Sequence, residues 1–203
     1  MDGSKKASKR NAILQAAAKV ARESGVEHLT LDAVAQEAGV SKGGLLYHFP
    51  NKDELISGMV KQFSDDFVGS VRTRADKDPS EKGKWIRAYM ETTHDSIKHE
   101  NGMSIALSTA LFTNPHLLRE MQADYRELQK SIENDGLDPV VSTLFRLAAD
   151  GLWFAEMFGF APPDQALKEK MLRYIANRIE EENSGLFISD DIYRQRTDRN
   201  FNA

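Results

Sequence analysis

Helical periodicity runs through almost the whole chain, and it constrains the fold more than any other feature of the sequence. Apolar residues recur at spacings of three and four, which places them on one face of a helix. Leu14, Ala17 and Ala21 mark the first such face, which ends near Gly25, a residue suited to a left-handed helix cap. Strand-like alternation is confined to one weak candidate, Gly185 to Ile188. The sequence therefore predicts an all-α protein.

Side chains that can cap helices divide the first third of the chain. Thr30, Ser41 and Asn51 each precede a helical segment, where a side-chain oxygen can accept a hydrogen bond from an unpaired backbone N–H. Asn51 and Glu54 have the spacing of a capping box. Gly39 is expected to make the tight turn between the second and third helices. This part of the sequence thus predicts three helices followed by a longer fourth.

Prolines mark the expected starts of later helices. Asp78-Pro79, Asn114-Pro115 and Asp138-Pro139 each predict a capping side chain followed by a proline at the first helical position. An apolar segment from Val140 to Phe160 and a last periodic segment complete the chain's helical pattern. The helix after Pro115 is expected to carry one apolar stripe, formed by Leu118, Met121, Tyr125, Leu128 and Ile132. About nine helices are expected in total.

Charge is distributed unevenly along the chain, whose formal net charge is −4. Residues 1–52 contain eight Lys and Arg against five Asp and Glu, and the remainder contains nineteen against twenty-six. A basic head on an acidic body is expected where only the head meets phosphate. The absence of cysteine excludes disulfides and thiolate metal sites. No apolar run predicts a signal peptide or a membrane helix, so we expect a cytoplasmic protein without a membrane partner.

The stretch from Leu29 to Leu55 is the most informative part of the sequence. Its two short helices, joined by a turn that contains glycine, predict a helix-turn-helix. The second helix of such a pair lies in the major groove of DNA, with its first residues nearest the base edges. Gly43 and Gly44 are among these first residues, and each lowers the stability of the helix by about 1 kcal/mol relative to alanine. Close approach of the backbone to DNA would explain that cost; alternatively, a loop persists through Lys42, Gly43 and Gly44.

This stretch resembles the head of the tetracycline-repressor (TetR) family of transcriptional regulators. The resemblance covers about the first 60 residues and departs from the family pattern at His48, which directly follows Tyr47 instead of standing one residue later. The matching positions are Thr30, Val34, Ala35, Ala38, Gly39, Val40, Ser41, Gly43, Leu46, Tyr47, Phe49, Lys52 and Leu55.

The resemblance implies roles in DNA binding for residues in and around the third helix. Thr30, at a helix N-terminus, and Lys52 would contact phosphates on the flanks. Tyr47 and His48 would hydrogen-bond phosphate oxygens. The remaining candidates, which would lie at or near base edges, are Ser41, Lys42, Gly43 and Gly44.

Further phosphate or minor-groove contacts are expected from a basic N-terminal arm that contains Lys5, Lys6, Lys9 and Arg10. Plainer alternatives stand beside these roles. Tyr47 and Phe49 are alternatively core residues, His48 is alternatively only an exposed polar side chain, Lys52 alternatively interacts with its own helix, and the arm is alternatively a solvated tail.

The resemblance also implies a domain organisation. Residues 1–50 would form a three-helix helix-turn-helix DNA-binding domain, and residues 51–185 a larger helical domain for ligand binding and dimerisation. The tail, 186–203, remains unassigned. The last two helices would pair with their copies in a second subunit, although both stripes are alternatively monomer core. The dimer candidates are Leu144, Ala148, Gly151, Leu152, Ala155, Leu167, Met171, Ile175 and Ile179.

Aromatic and methionine side chains are frequent in the second region, and such side chains suit an adaptable apolar cavity. Each is alternatively an ordinary core residue. The cavity would take a small lipophilic or aromatic effector. The pocket candidates are Phe63, Phe67, Trp85, Met90, Met103, Leu107, Phe112, Met121, Tyr125, Phe145, Trp153 and Phe154.

Catalytic and metal sites are not predicted. Glu91-x-x-His94 resembles half of a carboxylate-bridged metal motif whose second copy is missing, and His94 and His99 are too far apart in sequence to stack on one helical face. No phosphate-binding loop, dinucleotide fingerprint or local hydrolase signature occurs, so no cofactor is expected.

The sequence therefore indicates a DNA-binding regulator. We expect a repressor that binds a palindromic operator in double-stranded DNA as a homodimer and is released by its effector. The alternatives are a DNA-architectural protein without effector control, and a helical ligand-binding or scaffold protein whose head has lost DNA binding.

Overall fold

The computed structural model describes residues 2–25, 28–99 and 115–183, with side chains described for 8–25, 28–98 and 115–182, and these ranges contain eight helices and no strand. The prediction of an all-α protein is confirmed. The strand candidate at 185–188 and the tail at 186–203 lie outside the described residues. The helices are α1 (Asp2–Ser24), α2 (Leu31–Glu37), α3 (Lys42–His48), α4 (Lys52–Lys77), α5 (Lys84–His99), α6 (Pro115–Glu133), α7 (Pro139–Phe158) and α8 (Gln165–Asn183).

The helix boundaries in the first third follow the capping side chains. The hydroxyls of Thr30 and Ser41 each accept a hydrogen bond from the backbone N–H three residues later, both at 3.1 Å. Asn51 does the same with its amide oxygen at 2.8 Å. Gly25 and Gly39 have φ values of 88° and 64°, the left-handed conformation that the turns after α1 and α2 require. The three N-caps and both turns are as predicted.

The start predicted at Pro79 is wrong, because α5 begins at Lys84. Asp78 does not cap a helix and instead forms hydrogen bonds within and across the loop that precedes α5. Its carboxylate accepts a hydrogen bond from the Ser80 backbone N–H at 2.9 Å and two from the Arg87 guanidinium at 2.8 and 3.0 Å. These bonds fix the α4–α5 loop, and the bonds from Arg87 lower the pKa of Asp78 below its ordinary value.

The other two proline positions do begin helices. Pro139 opens α7, and Asp138 accepts a hydrogen bond from the Val140 backbone N–H at 2.7 Å, as predicted. Pro115 opens α6, and its predicted cap, Asn114, lies outside the described residues.

Two hydrophobic cores share helix α4, which is 26 residues long. The first core joins α1, α2, α3 and the first turns of α4, and the second joins the rest of α4 with α5, α6, α7 and α8. The largest buried members of the first are Ile13, Leu14, Leu29, Val34, Leu45, Phe49, Leu55, Met59 and Val60. The largest of the second are Val71, Ile86, Tyr89, Leu128, Ile132, Leu137 and Ile179.

Helix α6 also contacts both cores. Leu128 and Ile132 are buried in the second core, as the predicted stripe requires. The stripe begins one residue earlier than predicted, because Leu117 is buried in the first core while Leu118 is exposed. The first turn of α6 is therefore packed against the helix-turn-helix unit.

Within the described ranges, no helix combines the length and apolarity that a membrane span needs.

Glycine at position 58 is required by close packing between α4 and the first core. A Cβ atom there would lie 2.7 Å from Cε1 of buried Phe49 and 3.2 Å from Cδ2 of Leu14. A Cβ at Gly69, on the same helix, would meet no atom within 4 Å. Close contact with an immobile ring cannot be relieved without moving the helix.

We therefore expect opposite effects from two alanine substitutions in α4. Gly58→Ala should lower the free energy of unfolding by about 1–3 kcal/mol through overpacking. Gly69→Ala should raise it by about 0.5–1 kcal/mol, because alanine favours the helix. Urea unfolding of both variants beside the unchanged protein tests this. Equal effects of the two substitutions would contradict the close contact at Gly58.

Candidate nucleic-acid interface and ligand-binding interior

Helix α3 presents its first residues to solvent and is held by its middle. Ser41, Lys42, Gly43 and Gly44 are exposed, whereas Leu45 is fully buried. The anchor at Leu45 orients the helix on the first core, and the exposed N-terminal end can approach another molecule. This is the placement that reading of the major groove requires.

The two glycines are helical, so the alternative of a persistent loop is wrong. A Cβ added at Gly43 would meet nothing within 4 Å, and one added at Gly44 would lie 3.2 Å from Ser41 Oγ. Packing within the protein therefore does not require glycine at 43. The absence of a side chain leaves the backbone of α3 open to close approach from outside.

Tyr47 and His48 lie one turn further along α3. The Tyr47 side chain is 69% exposed, and its ring meets the His48 ring edge-on at 5.2 Å between centroids. Phe49, which follows, is buried in the first core. The core alternative therefore applies to Phe49 and is wrong for Tyr47.

Two further candidates stand at helix N-termini on either side of α3. Thr30 is exposed, and its hydroxyl caps α2 by accepting the Ala33 N–H, which leaves the O–H to donate outward. Lys52 is the first residue of α4 and is half-buried. Backbone N–H groups at helix N-termini attract anions, so both positions suit phosphate contacts.

One exposed ion pair lies on the same surface. Lys42 Nζ is 3.0 Å from Asp32 Oδ2, which joins the start of α3 to the first turn of α2. Exposed pairs of this kind contribute little to stability. The carboxylate instead offsets the positive charge of Lys42 at the point where a phosphate would approach.

The basic N-terminal segment is not an extended arm in the structure, because α1 begins at Asp2. The Arg10 guanidinium lies 5.0 Å from the centroid of the Phe49 ring, a cation–π contact that keeps it on the first core. Lys9 is exposed. The side chains of Lys5 and Lys6 lie outside the described set. Arg10 thus packs on Phe49, and its contact with DNA stays a prediction.

The interior of the second unit brings several pocket candidates together. Phe63 stacks on Trp153 with 6.3 Å between centroids. Phe67 stacks on Tyr125 at 6.4 Å and meets Tyr89 edge-on at 5.3 Å. The rings around Phe67 come from α4, α5 and α6 and form an aromatic interior at the second core, whereas Trp153 of α7 packs against the first core. Phe63 also lines a cleft of about 210 Å³ between α1 and α4.

The remaining pocket candidates are spread more widely. Met90 is buried in the second core, with Trp85 and Phe145 partly buried against it, and Met121 packs against the first core. Phe154 does not face the interior, since its side chain is 49% exposed and packs on Phe158 and Phe160 at the surface. The candidates outside the described residues are Met103, Leu107 and Phe112.

A half-buried carboxylate that was not predicted from the sequence, that of Asp150, lies beside the aromatic interior. Asp150 accepts a hydrogen bond from the Tyr89 hydroxyl at 2.5 Å and one from Arg146 at 2.8 Å. Burial raises the pKa of Asp150 and also raises the pKa values of Tyr89 and Tyr125. A charged pair four residues apart within the apolar segment from Val140 to Phe160 was the signal that could have revealed it.

The half motif at Glu91 and His94 forms no metal site. Glu91 accepts a hydrogen bond at 3.0 Å from Arg74, which also pairs with Asp95. His94 is half-buried, and burial lowers its pKa. Across the described residues no cluster of potential metal ligands occurs.

The outer face of α7 carries an apolar stripe with strictly alternating spacings of four and three. Leu144 and Leu147 are 58% and 50% exposed within it. The stripe consists of Val140, Leu144, Leu147, Gly151, Phe154 and Phe158, and Ala148 is exposed beside it. Ala155 is half-buried nearby. Such spacing is that of helices that pack along their length against a partner.

Three dimer candidates lie instead in the chain's own core: Leu152, Ile175 and Ile179 are buried. On α8, Leu167 is exposed and Met171 half-buried. A constant spacing of four winds slowly around a helix, because four residues exceed one turn of 3.6. The series that starts outward at Leu167 therefore ends inward at Ile179, and the monomer-core alternative applies to its second half.

Comparison with known proteins gives a family match for the helix-turn-helix region and another for the helices that follow it. The family model of bacterial regulatory proteins of the tetR family matches residues 13–59, and a model of tetracyclin repressor-like C-terminal domains matches residues 83–180. The chain belongs to the tetR family. This membership confirms the prediction of a DNA-binding transcriptional regulator rather than an enzyme.

Relatives of this TetR-family regulator match along most of their length. The chain is 24% identical over 169 residues to the transcriptional repressor KstR2 of Rhodococcus jostii, which covers 76% of the chain and 81% of KstR2. A crystal structure of a transcriptional regulator from Rhodococcus sp. Rha1 shares the fold with a TM-score of 0.61 at 19% identity, covering 87% and 96% of the two chains. The multidrug binding protein EbrR, complexed with ethidium, has a TM-score of 0.54 at 20% identity, covering 82% and 98%.

The ion pair beside α3 of this TetR-family regulator generates a prediction. Asp32→Asn should release Lys42 toward phosphate, raise affinity for a random-sequence duplex roughly threefold to tenfold at low salt, and steepen the salt slope by about one unit. Glu37→Gln is the matched control, because Glu37 pairs with Lys19 at 2.7 Å elsewhere on α2. Fluorescence anisotropy across a salt series measures both. Indistinguishable variants would show that the Asp32 pairing does not limit Lys42.

Proposed function

We propose that this regulator is a repressor that binds a palindromic operator as a homodimer and is released by a small lipophilic or aromatic effector. The observation that carries the proposal is the exposed N-terminal end of α3, anchored by buried Leu45 and free of packing demands at Gly43. The interface would consist of the exposed and flanking residues Thr30, Ser41, Lys42, Gly43, Gly44, Tyr47, His48 and Lys52.

Dimerisation would use the outer face of α7 together with Leu167 and Tyr174 of α8, which are exposed in the single chain. Burying the alternating stripe of α7 against its copy would remove contiguous apolar surface from water. A symmetric dimer also supplies two recognition helices, and two half-sites about one helical turn apart make a palindrome.

The domain division remains as inferred from the sequence, with DNA reading in 1–50 and effector binding and dimerisation in 51–185. Repression is the direction we assign, and the name of the relative KstR2, a transcriptional repressor, supports it. For the effector, the aromatic interior around Phe67 is the supporting feature. The neighbour EbrR, complexed with ethidium, supports an aromatic ligand class.

Release would proceed through α4, which contributes side chains to both cores. An effector that packs against Phe63 and Phe67 on this helix would favour one orientation of α4 over another. The helix-turn-helix unit packs on the first turns of α4, so a reorientation of α4 would move this unit. The distance between the two recognition helices of the dimer would then no longer match the distance between the operator half-sites. A difference in affinity worth about 1–3 kcal/mol between the two dimer shapes is enough to couple the sites.

Selection of bound fragments from random DNA at near-physiological salt tests the proposal. We expect a palindrome whose half-sites lie about one helical turn apart. Recovery of no enriched sequence would contradict the proposal and favour a DNA-architectural protein.

Lys52→Ala should weaken binding of the selected operator and of a scrambled duplex by the same factor. The salt slope should become shallower by about one unit, because one phosphate contact is lost. Lys77→Ala, at the other end of α4, is the matched control and should leave both quantities unchanged. A loss confined to the operator would contradict a phosphate contact at Lys52.

Leu144→Glu and Leu147→Glu should each convert the dimer to a folded monomer. The new carboxylate would be buried between the two copies of α7 in the dimer, which is unfavourable, but would be exposed to solvent in the single chain. Leu118→Glu places the same charge at an exposed leucine of α6 and should leave the dimer intact. Sedimentation equilibrium measures the mass, and circular dichroism verifies folding. A dimer that survives both α7 substitutions would exclude this face as the interface.

A further inference from the structure

We propose that the effector interior is built for an uncharged lipophile that carries a carbonyl or hydroxyl oxygen, held by the hydroxyls of Thr93 and Ser64. The inference rests on the proposed effector control and specifies the chemistry that the site selects. It does not depend on the operator sequence or on the direction of regulation.

Two buried hydroxyls carry the proposal. Thr93 on α5 is 4% exposed and Ser64 on α4 is 5% exposed. Neither Thr93 Oγ1 nor Ser64 Oγ has a hydrogen-bond partner among the described residues. Burying an unpaired hydroxyl is unfavourable, so such a group in a native interior requires an explanation. A bound oxygen-bearing molecule supplies the missing partner.

The neighbouring residue shows the ordinary arrangement that Thr93 does not adopt. Thr92 is equally buried, and its hydroxyl donates to the Ala88 carbonyl one turn earlier at 2.8 Å. This bond within the helix is the usual way to satisfy a buried threonine. Thr93 sits in the same helix and does not form it, so its hydroxyl remains available to a molecule in the interior.

The position of both hydroxyls fits a ligand among aromatic rings. Thr93 lies one helical turn after Tyr89 on α5, and Ser64 lies three residues before Phe67 on α4. The rings of Tyr89 and Phe67 are in contact, and along the helix axes the Cα atoms of Thr93 and Ser64 are about 6 Å and about 4.5 Å from those of Tyr89 and Phe67. Ser64 also directly follows Phe63, which stacks on Trp153. A planar apolar body can pack on these rings while its oxygen reaches a hydroxyl.

The ion pair beside the same interior favours an uncharged ligand over a cation. The carboxylate of Asp150 already accepts hydrogen bonds from Tyr89 and Arg146, and Arg146 balances its charge. The carboxylate of Asp150 is therefore not available to pair with a cation. Arg146 Nε is buried and lacks a partner among the described residues, which adds a donor and favours an oxygen acceptor on the ligand.

A matched series of probes on one ring system separates these chemistries. The probes are 2-naphthol, naphthalene and 2-naphthylmethylammonium, titrated calorimetrically into the full-length protein. We expect 2-naphthol to bind at least tenfold more tightly than either of the other two. Equal binding of all three would leave an aromatic effector interior in place and overturn the selectivity for oxygen. Binding of none would count against the effector interior itself, and with it against this inference.

Three substitutions assign the selectivity to residues. Thr93→Val and Ser64→Ala should each abolish the preference for 2-naphthol over naphthalene. The affinity for naphthalene should stay unchanged in both variants. Because each removes an unpaired hydroxyl, the melting temperature without probe should stay the same or rise. Thr92→Val, the matched control, should keep the preference. A preference that survives Thr93→Val, or a lowered melting temperature of that variant, would overturn the proposal by showing that the hydroxyl is used within the fold.

Discussion

The contact between α4 and the buried ring of Phe49 sets the geometry on which both units depend. Only a glycine lets α4 approach this ring, and the Arg10 guanidinium lies over the same ring. The rest of α4 then continues without a break into the second core, against which Phe67 packs. Because one continuous helix contributes to both cores, a change in the orientation of α4 would affect the packing of α3 and of the rings around Phe67 together.

The second connection between the units is Leu117 at the start of α6. Its side chain completes the first core, while Tyr125, Leu128 and Ile132 of the same helix belong to the second. Lys61 and Glu120, 3.5 Å apart, add an exposed ion pair between α4 and α6 at this level. The helix-turn-helix unit is therefore packed against α4 and α6, and both helices extend into the second core. A change in the relative position of α4 and α6 would therefore alter the packing of the first core.

Local signals in the sequence were enough for the helix-turn-helix unit, because its capping bonds and glycine turns join residues three or four positions apart. Thr30, Ser41, Asn51 and Gly39 all behave as their local sequence predicts. Where a residue is used by a distant part of the chain, the local pattern failed. The Asp78 carboxylate accepts hydrogen bonds from Arg87 in the next helix instead of capping a helix start. Leu117 is buried because its side chain packs in the first core. Asp150 escaped notice for the same reason, since its partner Tyr89 lies on another helix.

Gly43 has a consequence for how the regulator can change over time. The fold places no steric demand on this position, and nearly any side chain would favour the helix more than glycine does. With the DNA-reading role proposed for α3, mutations there would be selected by their effect on DNA binding and not by a cost to folding. An evolving lineage, or a library built in the laboratory, would then be able to explore new operator preferences at position 43 without first acquiring compensating mutations elsewhere.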